Sequence, residues 1–133
     1  MIDVVIACAD RRLTRIVAGV LLQDVGIRLR AAPLSSADFA SEAPDVLVVD
    51  EPIAAEPRAL DDRNTRVVLL LDDAEPWKAR RALDRGMQAV LAKDDVVAEL
   101  QEAVRCASEG KRFTSASLKS PIRRATPPPQ PPA

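Results

Sequence analysis

Apolar positions along the chain switch between two periods, and the switches divide the first 110 residues into alternating strand-like and helix-like runs. Asp3 to Ala7 is a short, β-branched run whose unbroken apolarity predicts a strand covered on both faces. From Asp10 onward Leu13, Ile16, Val17, Val20 and Leu21 recur at three- and four-residue steps, while Arg11, Arg12 and Arg15 tend to the other side. This predicts an amphipathic helix capped by Asp10, with Gly26 where its C-cap would sit. Ile27 to Ala31 offers a second strand, in which Arg28 and Arg30 alternate with apolar positions and suit it to a sheet edge. Ser35 or Ser36 can cap a short helix through Glu42, and Pro44-Asp45 stops it before Val46-Leu47-Val48-Val49, the strongest strand signal in the chain, which Asp50 terminates.

Pro52, Pro57, Asp61, Asp62 and Asn64 leave room for only about two helical turns around Ala59, so the third helix is expected to be shortened. No confident helix begins directly after Asp50, because Pro52 disrupts one. Arg66 to Leu71 predicts the fourth strand. Asp73 is expected to cap a fourth helix with Pro76 in its first turn and Gly86 at its end. Ala89 to Ala92 is the fifth strand, and Asp94 or Asp95 caps a fifth helix with Val96, Val97, Leu100, Val104 and Ala107 on one face, ending at Gly110. Five alternations with short connections predict an α/β fold, a doubly wound five-stranded parallel sheet with helices on both faces. Ligands of such sheets bind beyond the carboxyl ends of the strands, here around Cys8, Asp50, Leu71 and Lys93.

Composition narrows the chemistry. A chain of 133 residues is one domain in size, and 2 % aromatic content leaves an aliphatic core. There is no His and no Tyr, and the four glycines form no phosphate loop, so no catalytic apparatus is expected. Cys8 and Cys106 lack metal-ligand spacing and read as reduced thiols in a reducing compartment. No signal-peptide pattern or membrane-length apolar run is present, and the expectation is a soluble cytoplasmic protein. Residues 1–109 carry 14 basic and 20 acidic residues, a net of −6, whereas five basic residues and no acid follow Glu109. An acidic body disfavours direct nucleic-acid binding. The expected division is a domain over 1–110 and a basic, proline-rich, disordered tail over 111–133.

The stretches Val4-Val5-Ile6-Ala7, Pro44 to Asp50, Arg66 to Leu70 and Gly86 through Lys93-Asp94 resemble, in order and spacing, the receiver domains of two-component response regulators, particularly those fused to a LuxR-type helix-turn-helix. The resemblance covers residues 2 to about 118 and implies a flavodoxin-like strand order, 2-1-3-4-5. It places Asp50 at the phosphoacceptor position and Lys93 at the lysine that pairs with it. The chain departs from the family at the acidic pair, which is Cys8-Ala9; at the hydroxyl switch position, which is Leu71; and at the aromatic switch position, which is Val90. Acids at the first pair would hold a divalent cation, which needs oxygen ligands, and Leu71 has no hydroxyl to offer a phosphoryl oxygen. No helix-turn-helix output domain is present in the 133 residues.

The resemblance supports two functional readings. In the first, Asp50 is a vestigial carboxylate held by Lys93, no cofactor is needed, and the domain is a phosphorylation-independent signalling or interaction module. In the second, Asp50 accepts phosphate with Mg²⁺ held by Asp10, Asp50 and Asp73. The sequence argues against this cage, because Asp10 and Asp73 stand at expected helix caps. Expected partners are proteins: a histidine kinase, another response regulator or an output protein. The expected surface is the fourth helix, fifth strand and fifth helix, with Trp77, Arg80, Arg81 and Val90 as contact candidates and a homodimer through the same face. A third reading makes the proline-rich tail the docking element.

Overall fold

The computed structural model describes residues 1–30, 44–54 and 66–119. Its strands are β1 (Ile2–Ala7), β2 (Ile27–Arg30), β3 (Val46–Asp50), β4 (Arg66–Leu71), β5 (Ala89–Ala92) and β6 (Phe113–Thr114). They form one sheet in the order β2-β1-β3-β4-β5-β6, parallel at every neighbouring pair. The α-helices among the described residues are α1 (Arg11–Leu22), α2 (Glu51–Ala54), α3 (Pro76–Asp84), α4 (Val96–Ser108) and α5 (Ala116–Lys119), with a 3-10 turn at Lys93–Asp95.

Alternation along each strand feeds two cores. Val4, Ile6, Val46, Val48, Val68 and Leu70 share one cluster with Leu13, Val17 and Val20 of α1 and Leu100 and Val104 of α4. Val5, Leu47, Val49, Leu69 and Leu71 share the other with Ala79 and Ala82 of α3 and with Leu118. All five residues of β3 are buried, as a central parallel strand requires. The expected edge strand β2 lies at one end of the sheet, where Arg30 Nε sits 2.9 Å from Asp3 Oδ2. No helix among the described residues is long and apolar enough to cross a membrane.

The structure departs from expectation in several places. The sheet has six strands, because the chain beyond Gly110 returns to the β5 edge and pairs Phe113 with Ala89 and Thr114 with Val90. The packed region therefore extends past 110 to Lys119, with Ser115 and Leu118 buried. The rest of the predicted tail, 120–133, lies outside the described residues, as do the predicted helices over 35–42 and around Ala59. Helix α1 ends at Leu22; Gly26 is not its cap, and its N–H is taken by Asp24 Oδ1 at 2.9 Å. Helix α2 begins directly after Asp50 despite Pro52, because a first-turn residue needs no intrahelical N–H. Asp73 does not cap α3: Glu75 stands at that position and Pro76 opens the helix. Asp95 stands at the expected N-cap position of α4 but makes no side-chain cap bond there; the chain enters through a 3-10 turn and Asp95 Oδ2 accepts the Ser117 N–H at 3.0 Å.

Candidate functional site

The carboxyl ends of β1, β3, β4 and β5 converge, because parallel strands of matched register stop at one edge. Asp50, the last residue of β3, is 2 % exposed. Its Oδ2 accepts the N–H groups of Ala9 at 2.8 Å and Asp10 at 3.1 Å, clamping β3 to the loop that leaves β1. Asp10 performs its expected cap: Oδ1 accepts from Arg12 N at 2.9 Å and from Leu13 N at 3.4 Å. Its Oδ2 lies 3.4 Å from Lys93 Nζ, and Lys93 is also 3.0 Å from Asp72 Oδ1. The phosphate-pairing lysine position is thus occupied between two carboxylates.

A second lysine repeats the arrangement. Lys78 Nζ lies 3.3 Å from Glu51 Oε2 and 3.6 Å from Asp73 Oδ2, and Glu51 Oε1 accepts the Asp72 N–H at 2.8 Å. Lys78 was not singled out in the sequence. Its place in the first turn of a proline-opened helix, beside a run of three acids in four residues, was the available signal.

These neighbours bias ionisation. The N–H groups of Leu13 and Arg12, with Lys93, hold the Asp10 carboxyl below its ordinary value. The bond to Asp72, with Asp10 beyond it, holds Lys93 above its ordinary value against the opposing effect of burial. For Lys78 burial acts downward, and the carboxylates of Glu51 and Asp73 outweigh it. Burial pushes the half-buried Cys8 thiol up to about 12, with the charges of Asp50 and Asp10 adding to it.

The donor set does not fit a magnesium ion. No group of three or more His, Cys, Asp or Glu side chains among the described residues is placed to hold a metal. Of the three alternative ligands, Asp10 gives one oxygen to backbone N–H groups and the other to Lys93, Asp50 is turned into the β1 loop, and Asp73 lies against Lys78. Magnesium requires near-octahedral oxygen coordination, which these positions do not supply. At the degenerate positions Leu71 is buried, and Cys8 Sγ lies 3.9 Å from the Val48 carbonyl oxygen.

The expected contact residues separate into two groups. Trp77, Arg80 and Arg81 are exposed on α3. Trp77 and Arg81 line an open groove of about 280 Å³ with Leu69, Leu71, Lys78 and Met87. Val90 is a correction: it is 0 % exposed in the middle of the sheet, with its carbonyl accepting the Ser115 N–H at 3.1 Å, and it cannot serve as a contact. The β5 edge of the expected dimer face is taken by β6. Ser115 Oγ accepts the Ala92 N–H at 3.0 Å, and Leu118 is buried in the cluster of Ala79, Ala82, Met87 and Val90.

No protein-family model matches the sequence, and no curated protein matches it. Solved structures do. The isolated receiver domain of RcsB from Salmonella enterica serovar Typhimurium, in the apo form, superposes with a TM-score of 0.73 at 16 % identity, over 92 % of this chain and 98 % of that one. The same domain in the presence of the phosphomimetic BeF₃⁻ gives 0.69 at 17 % identity, over 89 % and 96 %. The non-phosphorylated receiver domain of the stress response regulator RcsB from Escherichia coli gives 0.70 at 16 %, over 86 % and 98 %. The chain has the response-regulator receiver fold.

Proposed function

We propose that this domain is an atypical receiver, a signalling module whose state is set by binding a protein partner and not by magnesium-dependent phosphorylation of Asp50. The observation that carries this reading is the state of Asp50 itself: a carboxylate 2 % exposed, with one oxygen accepting two backbone N–H groups. The engagement of Lys93 by Asp10 and Asp72 supports it, as does the apolar side chain of Leu71 where the family places a hydroxyl. The module is non-enzymatic and cytoplasmic, and its partner is a histidine kinase, another response regulator or an output protein. The exposed Trp77, Arg80 and Arg81 of α3, beside an apolar-floored groove with a cationic rim, form the contact surface. Any effect on DNA passes through that partner.

The test is incubation of the full chain with a small phosphodonor and Mg²⁺, followed by intact-mass measurement of wild type and Asp50→Asn. The expected spectra show no adduct in either protein. An adduct present in wild type and missing from Asp50→Asn would establish the phosphoacceptor reading in place of this one.

A further inference from the structure

Arg81, in the last turn of α3, and Arg85, at its C-cap, are both exposed and stand on one side of the helix, because residues four apart are neighbours there. Like charges at that spacing repel. Among the described residues no carboxylate is ion-paired with either guanidinium. Lys78, a turn earlier, differs, since Glu51 and Asp73 hold its charge.

Both arginines line the open groove of about 280 Å³ between α3 and β4. Leu69 and Leu71 of β4, with Ala82 and Met87, give it an apolar floor. The unbranched thioether of Met87 adapts to what packs against it. Trp77, 57 % exposed, also lines the groove, and from Trp77 to Arg85 the helix advances about 12 Å. An indole and an aliphatic floor beside two unpaired guanidiniums match a molecule with an apolar body and one anionic end. The body lies against Trp77 and the floor, and the anion accepts charge-assisted N–H bonds from the arginines.

Size selects a small molecule. Ligand sites run from about 300 to 1,000 Å³, and this groove stands at the lower limit. Over its length an extended polypeptide would present only about four residues. We infer that the groove binds a small organic anion, an apolar body ending in a carboxylate or sulfonate, with Arg81 and Arg85 holding the anionic group. Trp77 and Arg81 also belong to the proposed contact surface, so such a ligand and a protein partner would compete for them. That consequence rests on the proposed function; anion binding itself does not.

Trp77 is the chain's one tryptophan, so its emission reports the groove directly. The full chain is titrated with anilinonaphthalene sulfonate and, separately, with phenylnaphthylamine, the same rings without the sulfonate. The sulfonate is expected to quench Trp77 with one-to-one stoichiometry and a Kd of about 100 µM or tighter, and the neutral rings to bind about tenfold or more weakly. Arg81→Gln combined with Arg85→Gln is expected to weaken the sulfonate about tenfold or more with unchanged circular dichroism, since both positions are exposed. Arg11→Gln combined with Arg15→Gln removes the same charge from α1, which packs on the other side of the sheet, and is expected to leave binding unchanged. Decanoate is expected to displace the dye, and a short polyglutamate peptide is not. Four results would each overturn the inference: no quenching up to about 1 mM, equal affinity for the neutral rings, equal losses in the two arginine pairs, or displacement by polyglutamate and not by decanoate. The last would make the groove a docking site for an acidic polypeptide. None of these outcomes bears on the phosphodonor experiment, and an Asp50 adduct there would leave the groove's ligand unaffected.

Discussion

Residues 113–119 belong to the folded domain, and removing their anchors has a calculable effect. Leu118 is 4 % exposed and packs with Ala79, Ala82, Met87 and Val90 across β5 and α3. Truncating a buried leucine to alanine costs 2–5 kcal/mol in well-packed interiors, and a site on a short terminal helix that can relax belongs near the lower end, about 2–3 kcal/mol. Ser115 is fully buried, and its Oγ is the acceptor for the Ala92 N–H. Ser115→Ala strands that donor, at about 1–2 kcal/mol. At roughly 4 °C per kcal/mol for a domain of this size, Leu118→Ala should melt about 10 °C below wild type and Ser115→Ala about 4–8 °C below. A truncation after Gly110 should be destabilised at least as much as Leu118→Ala. Thermal and urea unfolding followed by far-ultraviolet circular dichroism reads all three. A Leu118→Ala melting point within about 2 °C of wild type would show that the segment rests on the domain without stabilising it, and the boundary would return to Gly110.

Two further outcomes follow from ionisation. The Arg105 guanidinium, with the Gly26 N–H, lowers the folded carboxyl of Asp24 below its ordinary value, so its stabilisation is complete above the unfolded pKa of about 3.9 and fades as pH falls through the lower folded value. The gap in urea midpoint between wild type and Asp24→Asn should accordingly be constant from about pH 6 to 8 and shrink toward pH 3; a gap that widens in acid would contradict the assignment. With its thiol pushed up to about 12, native Cys8 should react with iodoacetamide at pH 8 more than about a hundredfold slower than in urea, read by peptide mass, and equal rates would contradict its buried, anion-flanked setting.

Elements whose cause is local were legible in the sequence. The strands Val46–Asp50 and Arg66–Leu71 announce themselves because a central parallel strand is apolar on both faces. Asp10 caps α1 as its position implies, because a cap needs only the next three residues. Long-range arrangements were not legible. Phe113–Thr114 is too short to show a period, and its pairing depends on a β5 edge left open by the rest of the sheet. Asp95 stands at the cap position its sequence implies, but its carboxylate holds Ser117, 22 residues on. At the site, sequence placed Asp50 and Lys93 at the right strand ends, but Lys93 meets Asp10 and Asp72, and no spacing rule pairs residues 83 and 21 positions distant.

The same pairings support the proposed phosphorylation-independent reading beyond the missing ligands. A phosphoryl group on Asp50 would bring about −1.5 to −2 charges to a buried strand end. In the receiver family the acidic pair recruits a divalent cation to offset that charge. Here Cys8 and Ala9 offer no such oxygen ligands, and Lys93 already sits between Asp10 and Asp72. The phosphoryl group would also compete for the carboxylate that the Ala9 and Asp10 N–H groups now hold. On the proposed reading Asp50 has a structural task of its own, fastening the end of β3 to the turn that starts α1.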